Sequence, residues 1–211
     1  MRSWDPELVL LTGDVSEDAS PASYARVDVR LGTIGAPVLA LPGNHDDPDV
    51  MKKYFRNGPW QGPRAVELEG WLLVALDSTV PGKISGAFSQ QDLEQFDACL
   101  RASDAEHILV ALHHQPVPVN APWIDRYGLE EPQRFLNYLD REPRLRCVTW
   151  GHVHHAFETE RQGAAFLGAP SSVANSLPAT QKFTLDLAGP ACRWLELGED
   201  GSVETGVMRS A

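Results

Sequence analysis

Five of the seven histidines sit in two short stretches, His113 and His114 in "LHHQP" and His152, His154 and His155 in "WGHVHH". Imidazole ligates transition metals and carries protons near neutral pH. Two further stretches offer oxygen and nitrogen donors behind a glycine: "TGD" ends at Asp14, and "GNHD" supplies Asn44, His45 and Asp46. The pooled set of Asp14, Asn44, His45, His113, His114, His152 and His154 contains no thiolate. Imidazole plus carboxylate suits Fe, Mn, Zn, Co or Ni better than a sulfur-loving metal or Ca. In an extended G-H-x-H segment alternate residues share a face, so His152 and His154 can serve two neighbouring ions with Val153 turned away. His107 and His155 read as structural, each at the start of a strand.

Four apolar runs deliver these groups. "ELVLL" (7–11) runs into "TGD", "PVLAL" (37–41) into "PGNHD", "HILVAL" (107–112) into "HHQP", and "LRCVTW" (145–150) into "GHVHH". Each reads as a strand with ligand-type residues at its carboxyl end, the end at which open α/β sheets bind ligands. The glycines at 13, 43 and 151 permit the sharp turns this needs. Helices are expected between the strands. One covers 21–34, with Ser20 as N-cap and Pro21 in its first turn. Another covers 89–103, with Leu93, Phe96 and Leu100 on one face, and a third lies near 131–140. "WLLVALD" (71–77) is a further strand. After residue 150 the pattern changes to short strands, and the tail 183–208 reads as a β-meander with a turn at "EDGS". The expected architecture is one α/β domain over residues 1–211, its sheet extended by or packed on a second sheet.

The net charge of -11 argues against a nucleic-acid partner, because polyanion binding relies on clustered Lys and Arg. A small anionic ligand would need a local positive source, and divalent cations are the strongest available. The opening residues do not resemble a signal peptide, and no apolar run approaches the ~20 residues of a membrane span. A cytoplasmic protein is expected. Cys99, Cys147 and Cys192 are odd in number and far apart, which suggests buried thiols rather than disulfides or a zinc site.

The order GD, GNHD, H, GHxH resembles the signature of the calcineurin-like metallophosphoesterases. Within them, "LTGDVSEDASPASY", "LPGNHDD", "LHHQPVPVNAPWID", "WGHVHH", "GAPSSVANS" and "FTLDLAGPACRWLEL" look like the bacterial class III 3',5'-cyclic AMP phosphodiesterases. The resemblance implies a four-layer αββα sandwich around two divalent or trivalent ions of Fe/Mn type, with Zn and Co as alternatives. By position, Asp14 bridges the ions, Asn44, His113 and His152 complete one site, and His154 belongs to the other. His114 only lines the pocket. The implied reaction converts cyclic AMP to 5'-AMP by attack of a hydroxide shared between the metals. Asn44, His45 and His154 meet the substrate, His45 protonates the departing 3'-oxygen, and Asp46 orients His45. Asp47 is instead expected at a helix N-terminus, ahead of Pro48. Trp123 and the loop after "SSVAN" are open candidates for the adenine contact, a packing anchor being the other reading of Trp123.

The family's D-x-H motif has no counterpart before Asp14. The second metal site is therefore expected to be incomplete, with Asp14 and His154 alone. On the same resemblance the chain is expected to be an N-terminally shortened family member lacking a first strand and helix. Losing four buried aliphatic side chains forfeits ~6 to 12 kcal/mol, against a typical stability of ~5 to 15 kcal/mol. Association as a homodimer is one way to regain a partner strand. Two alternative functions stay open: hydrolysis of another phosphodiester, such as a glycerophosphodiester or nucleotide, and a catalytically impaired remnant that binds a metal or nucleotide.

Overall fold

A computed structural model describes residues 5–54 and 64–209. Strand β1 (Val9–Thr12) pairs in parallel with β2 (Val38–Leu41), and helix α1 (Pro21–Leu31) crosses between them. Ser20 caps α1 by accepting from the backbone N–H of Ser23, and Pro21 opens its first turn. Helix α2 (Pro48–Tyr54) follows β2, and Asp47 accepts from the N–H groups of Asp49 and Val50 at its start, as expected.

The main sheet has six strands. β3 (Arg64–Leu68) forms a hairpin with β4 (Trp71–Ala75), which is parallel to β5 (His107–Leu112). β6 (Leu145–Trp150) and β8 (Ala164–Gly168) continue the parallel run, and β7 (Phe157–Arg161) closes it antiparallel to β8. Helix α3 (Gln90–Arg101) connects β4 to β5 behind a Ser89–Asp92 capping box. The short α4 (Pro122–Asp125) and α5 (Pro132–Leu139) lie between β5 and β6. The chain ends in an antiparallel pair, β9 (Ala191–Leu197) and β10 (Val203–Arg209), joined by the expected turn.

The side-chain period of two along each strand sorts the core into three interfaces. Leu72, Val74, Ile108, Val110, Val148 and Trp150 face the helices, where they meet Leu93, Phe96 and Leu100 of α3 and Phe135, Leu136 and Leu139 of α5. The alternate residues Trp71, Leu73, Ala75, Leu109, Ala111 and Cys147 face the opposite way, onto Leu39 and Leu41 of β2 and Leu195, Leu197 and Val203 of the terminal pair. The outer face of β2, Val38 and Ala40, is covered by Tyr24 of α1 and Met51 of α2. The order is helix, sheet, sheet, helix: the four-layer αββα sandwich.

Several local expectations change. The meander does not begin at residue 183: Ser176 bridges Leu185, Leu185 and Leu187 are exposed, and Gly189 and Pro190 delay the strand until Ala191. His107 opens β5, but His155 precedes β7 instead of starting it. Of the cysteines only Cys147 is buried, Cys192 being exposed because it lies at an outward position of β9. Among the described residues no helix is long and apolar enough to cross a membrane.

Phe96 packs tilted on Phe135 between α3 and α5. Truncating it as Phe96→Ala should lower unfolding stability by ~3 to 5 kcal/mol, whereas Asp97→Ala, which removes only a surface pair with Arg101, should move it by less than ~0.5 kcal/mol. Urea unfolding of the two variants checks the contrast.

Candidate metal centre

Within each sheet the donor-bearing strands run parallel, β1 with β2 and β5 with β6, and a contact between Thr12 at the end of β1 and His113 after β5 brings the carboxyl ends of the two sheets together. His113 follows β5 and is fully buried. Its Nδ1 lies 2.7 Å from the backbone carbonyl of Thr12, the last residue of β1. A carbonyl only accepts, so Nδ1 carries the proton and, in the neutral ring, Nε2 presents a lone pair. Around that Nε2 stand Asn44 Oδ1 at 3.2 Å, Asp14 Oδ2 at 3.4 Å and His152 Nδ1 at 3.1 Å.

These are donors for a cation. Ligands ~2.0 to 2.2 Å from one ion leave neighbouring donor atoms about 3 Å or slightly more apart, which matches the spacings found. His113 and His152 also cluster with His114, the ring nitrogens lying within 4.8 Å of one another, although both His114 nitrogens already have partners. The residues present therefore fit a metal ion.

The backbone is bent to reach this arrangement. Asp14, His152 and His154 adopt φ of 51°, 62° and 53°, a left-handed conformation that costs energy in residues other than glycine and is concentrated at functional sites. Close approach demands glycine at Gly43, where a Cβ would stand 2.2 Å from Asp14 Oδ1 and 2.7 Å from the His113 ring. Gly13 has the same constraint, its Cβ position being 2.3 Å from His113 Nδ1.

Electrostatics follow burial and neighbours. Burial favours a protonated Asp14, but the adjacent His113 and the backbone N–H of His45, 3.0 Å from Oδ1, overrule it and hold the carboxyl well below the usual range. Burial opposes charge on His113, and Asp14 outweighs it and raises that ring. For His152 burial comes first and the like-charge neighbours His113 and His114 second, so this ring is kept neutral. Burial does the same to His154, whose Nδ1 donates to the carbonyl of Ala174 at 2.9 Å and leaves Nε2 free to ligate.

His114 belongs to the wall. Its Nε2 donates to the carbonyl of Ile84 at 2.9 Å, and its Nδ1 faces the Ser78 hydroxyl at 2.8 Å, so both nitrogens are engaged. Its ring stands 4.8 Å from those of His113 and His152 and packs them in place. His45 occupies the rim, half-exposed, with Nδ1 3.6 Å from Glu17.

Asp46 does something other than orient His45. Its carboxylate accepts from the backbone N–H groups of Val15 (3.0 Å), Ser16 (2.9 Å) and Gly43 (2.9 Å) and from the hydroxyl of Tyr24 (3.1 Å). The β1 and β2 loops are thereby fastened together, which positions Asp14 against Asn44. The sequence reading missed Tyr24, the fully buried residue whose hydroxyl also accepts from the Asp47 N–H. It likewise missed Ser78 and the Ala174 carbonyl. Only the helix-face position of Tyr24 left a trace in the sequence, and backbone carbonyls leave none.

Comparison with known proteins agrees. Residues 2–156 match the calcineurin-like phosphoesterase family model. The chain is 36% identical over 203 residues to the 3',5'-cyclic adenosine monophosphate phosphodiesterase CpdA of Pseudomonas aeruginosa, covering 96% of this chain and 74% of that one. It is 32% identical to a 3',5'-cyclic-nucleotide phosphodiesterase of Nostoc, covering 96% and 76%. Its fold matches a dimetal phosphatase of Danio rerio with a TM-score of 0.65 at 18% identity, over 78% of this chain and 72% of that one. The chain belongs to the calcineurin-like phosphoesterases.

Two outcomes follow. Asp46→Asn replaces an all-acceptor group with one that also donates; the folded variant should bind Mn²⁺ ~10- to 100-fold more weakly, measured by calorimetric titration. In metal-free protein, burial first and His113 second depress His114 to about 3, below its unfolded value of ~6.5. Between those values the unfolded chain binds a proton that the native ring refuses, so His114's contribution is full above ~6.5 and declines as pH falls. His152, His154 and His155 act in the same direction and His113 opposes them. Between pH 6 and 5, His114→Gln should flatten the stability slope by up to ~1.4 kcal/mol per pH unit, read from urea midpoints in chelator.

Proposed function

We propose that this chain hydrolyses 3',5'-cyclic AMP to 5'-AMP in a metal-dependent reaction. The observation that carries the reading is the convergence of Asp14, Asn44 and His152 on His113 Nε2, with His45 on the rim beside them. The cyclic-nucleotide phosphodiesterases among its relatives support the substrate class.

Asp14, Asn44, His113 and His152 would hold one ion, and Asp14 with His154 would face a second; Fe and Mn suit this nitrogen and oxygen set, with Zn and Co as alternatives. When bound, such ions supply Lewis-acid stabilisation of phosphoryl charge and a nucleophile from water at neutral pH. The chain's own groups do the rest. Asn44 and His154 orient the phosphate, whose negative charge this acidic protein would otherwise repel. His45 turns Nδ1 toward Glu17, which leaves Nε2 for the 3'-oxygen. As the P–O3' bond breaks and water supplies the new P–O bond, a proton passes from His45 to the departing oxygen. Asp46 and Tyr24 act one step removed by keeping the two loops in register.

The decisive measurement is metal per chain on the same sample assayed for turnover. Cyclic AMP should be converted to 5'-AMP and chelation should abolish the activity. His45→Ala should lower kcat by ~10²- to 10⁴-fold while metal content stays the same. Stoichiometric metal with no turnover of cyclic AMP, alongside turnover of glycerophosphodiesters, would overturn the substrate assignment.

A further inference from the structure

Between β8 and β9 the chain makes a long excursion that doubles back on itself. Leu177 donates to the Thr184 carbonyl at 2.7 Å, Asp186 to Asn175 at 2.8 Å, and the Thr184 N–H to the Ser176 hydroxyl at 3.1 Å. This flap is riveted to the metal-centre turn, because Ser176 donates to the backbone carbonyl of His154 at 2.7 Å and the His154 ring donates to Ala174. Its inner loop, Ser171 to Gly189, is braced by the Asn175 side chain, which bonds Ser171 and Gly189.

The flap carries Phe183. This ring remains 42% exposed, yet it stands 6.1 Å from the His154 ring at 81° and 5.4 Å from the Trp123 ring at 83°. Neither neighbour stacks flat on it. Trp123 is itself fixed, since α4 is anchored by Asp125, which accepts from the N–H groups of Val119 and Ala121. A single exposed apolar side chain needs no explanation. One held edge-on between a tryptophan and a metal-centre histidine, on a flap bonded to that histidine, is placed to receive a flat ligand. In a cyclic nucleotide one sugar ring separates phosphate from base, and one ring-to-ring step separates His154 from Phe183.

We propose that Phe183, braced by Trp123 and His154, is the platform on which the base of a nucleoside phosphodiester stacks, and that it sets the preference for nucleotides over diesters without a base. The assignment rests on the reading of the site as a nucleotide phosphodiesterase. Stacking tolerates any base, so the platform selects a nucleobase without selecting adenine over guanine. Trp123 acts through Phe183 as a positioning residue.

The test compares 5'-AMP with ribose 5-phosphate, which keeps the phosphate and lacks the base, as ligands of the Mn²⁺-loaded protein. Phe183→Ala should weaken 5'-AMP on the order of 10- to 100-fold, the range spanned by loss of one base–aromatic stack, and leave ribose 5-phosphate and Mn²⁺ content unchanged. Phe183→Trp should restore 5'-AMP binding. For cyclic AMP hydrolysis the loss should fall on KM rather than kcat. Equal weakening of both ligands, or no change in 5'-AMP binding, would overturn the platform. Failure of the wild-type protein to hydrolyse cyclic AMP would instead overturn the activity, while the ligand comparison would still read the platform.

Discussion

The His113 ring is the point on which the site turns. Its Nδ1 proton is committed to the Thr12 carbonyl, which forces Nε2 to face three other donor atoms. Lone pairs crowded at this distance repel one another unless a proton or a metal cation lies among them. A folded chain that brings them together has therefore stored a preference for metal in its tertiary structure.

That arrangement depends on how the four layers are joined. Thr12 ends a strand of the two-stranded sheet and His113 follows a strand of the six-stranded one, so their hydrogen bond ties the two β layers at the carboxyl ends. Gly13 and Gly43 let the layers close to this distance. Asp46 secures the same junction from the other side by gathering backbone donors of both loops and the Tyr24 hydroxyl from α1. Its carboxyl is raised by burial, which the backbone donors only partly offset. The anchor is costly to bury, and it is retained where the Asp14 and Asn44 loops meet.

Polarity is distributed unevenly around the centre. Helix-facing strand positions are aliphatic and aromatic up to Leu112 and Trp150; His113 follows Leu112 directly, and His152 follows Trp150 after Gly151. His114 is satisfied by Ser78 and Ile84 and supports its neighbours without competing for an ion. His45 and Phe183 remain exposed. His113 and His152 are buried, Asp14 and Asn44 are partly buried, and His45 and Phe183 face outward.

The sequence alone determined the strands that end in donors, the capped helices and the donor types that follow each strand, because strand periodicity, N-caps and glycine turns are local and write themselves into spacing. Resemblance alone set His113 apart from its neighbour His114. Only the tertiary structure decided what Asp46 holds, since Val15, Ser16 and Tyr24 lie 31, 30 and 22 residues away in sequence and three of its four partners are backbone N–H groups. The same is true of Tyr24, Ser78 and Phe183. Their roles arise from contacts across layers and along an irregular flap, where no period relates one residue to the next. The donors were legible as types; their meeting around one ring nitrogen required the fold.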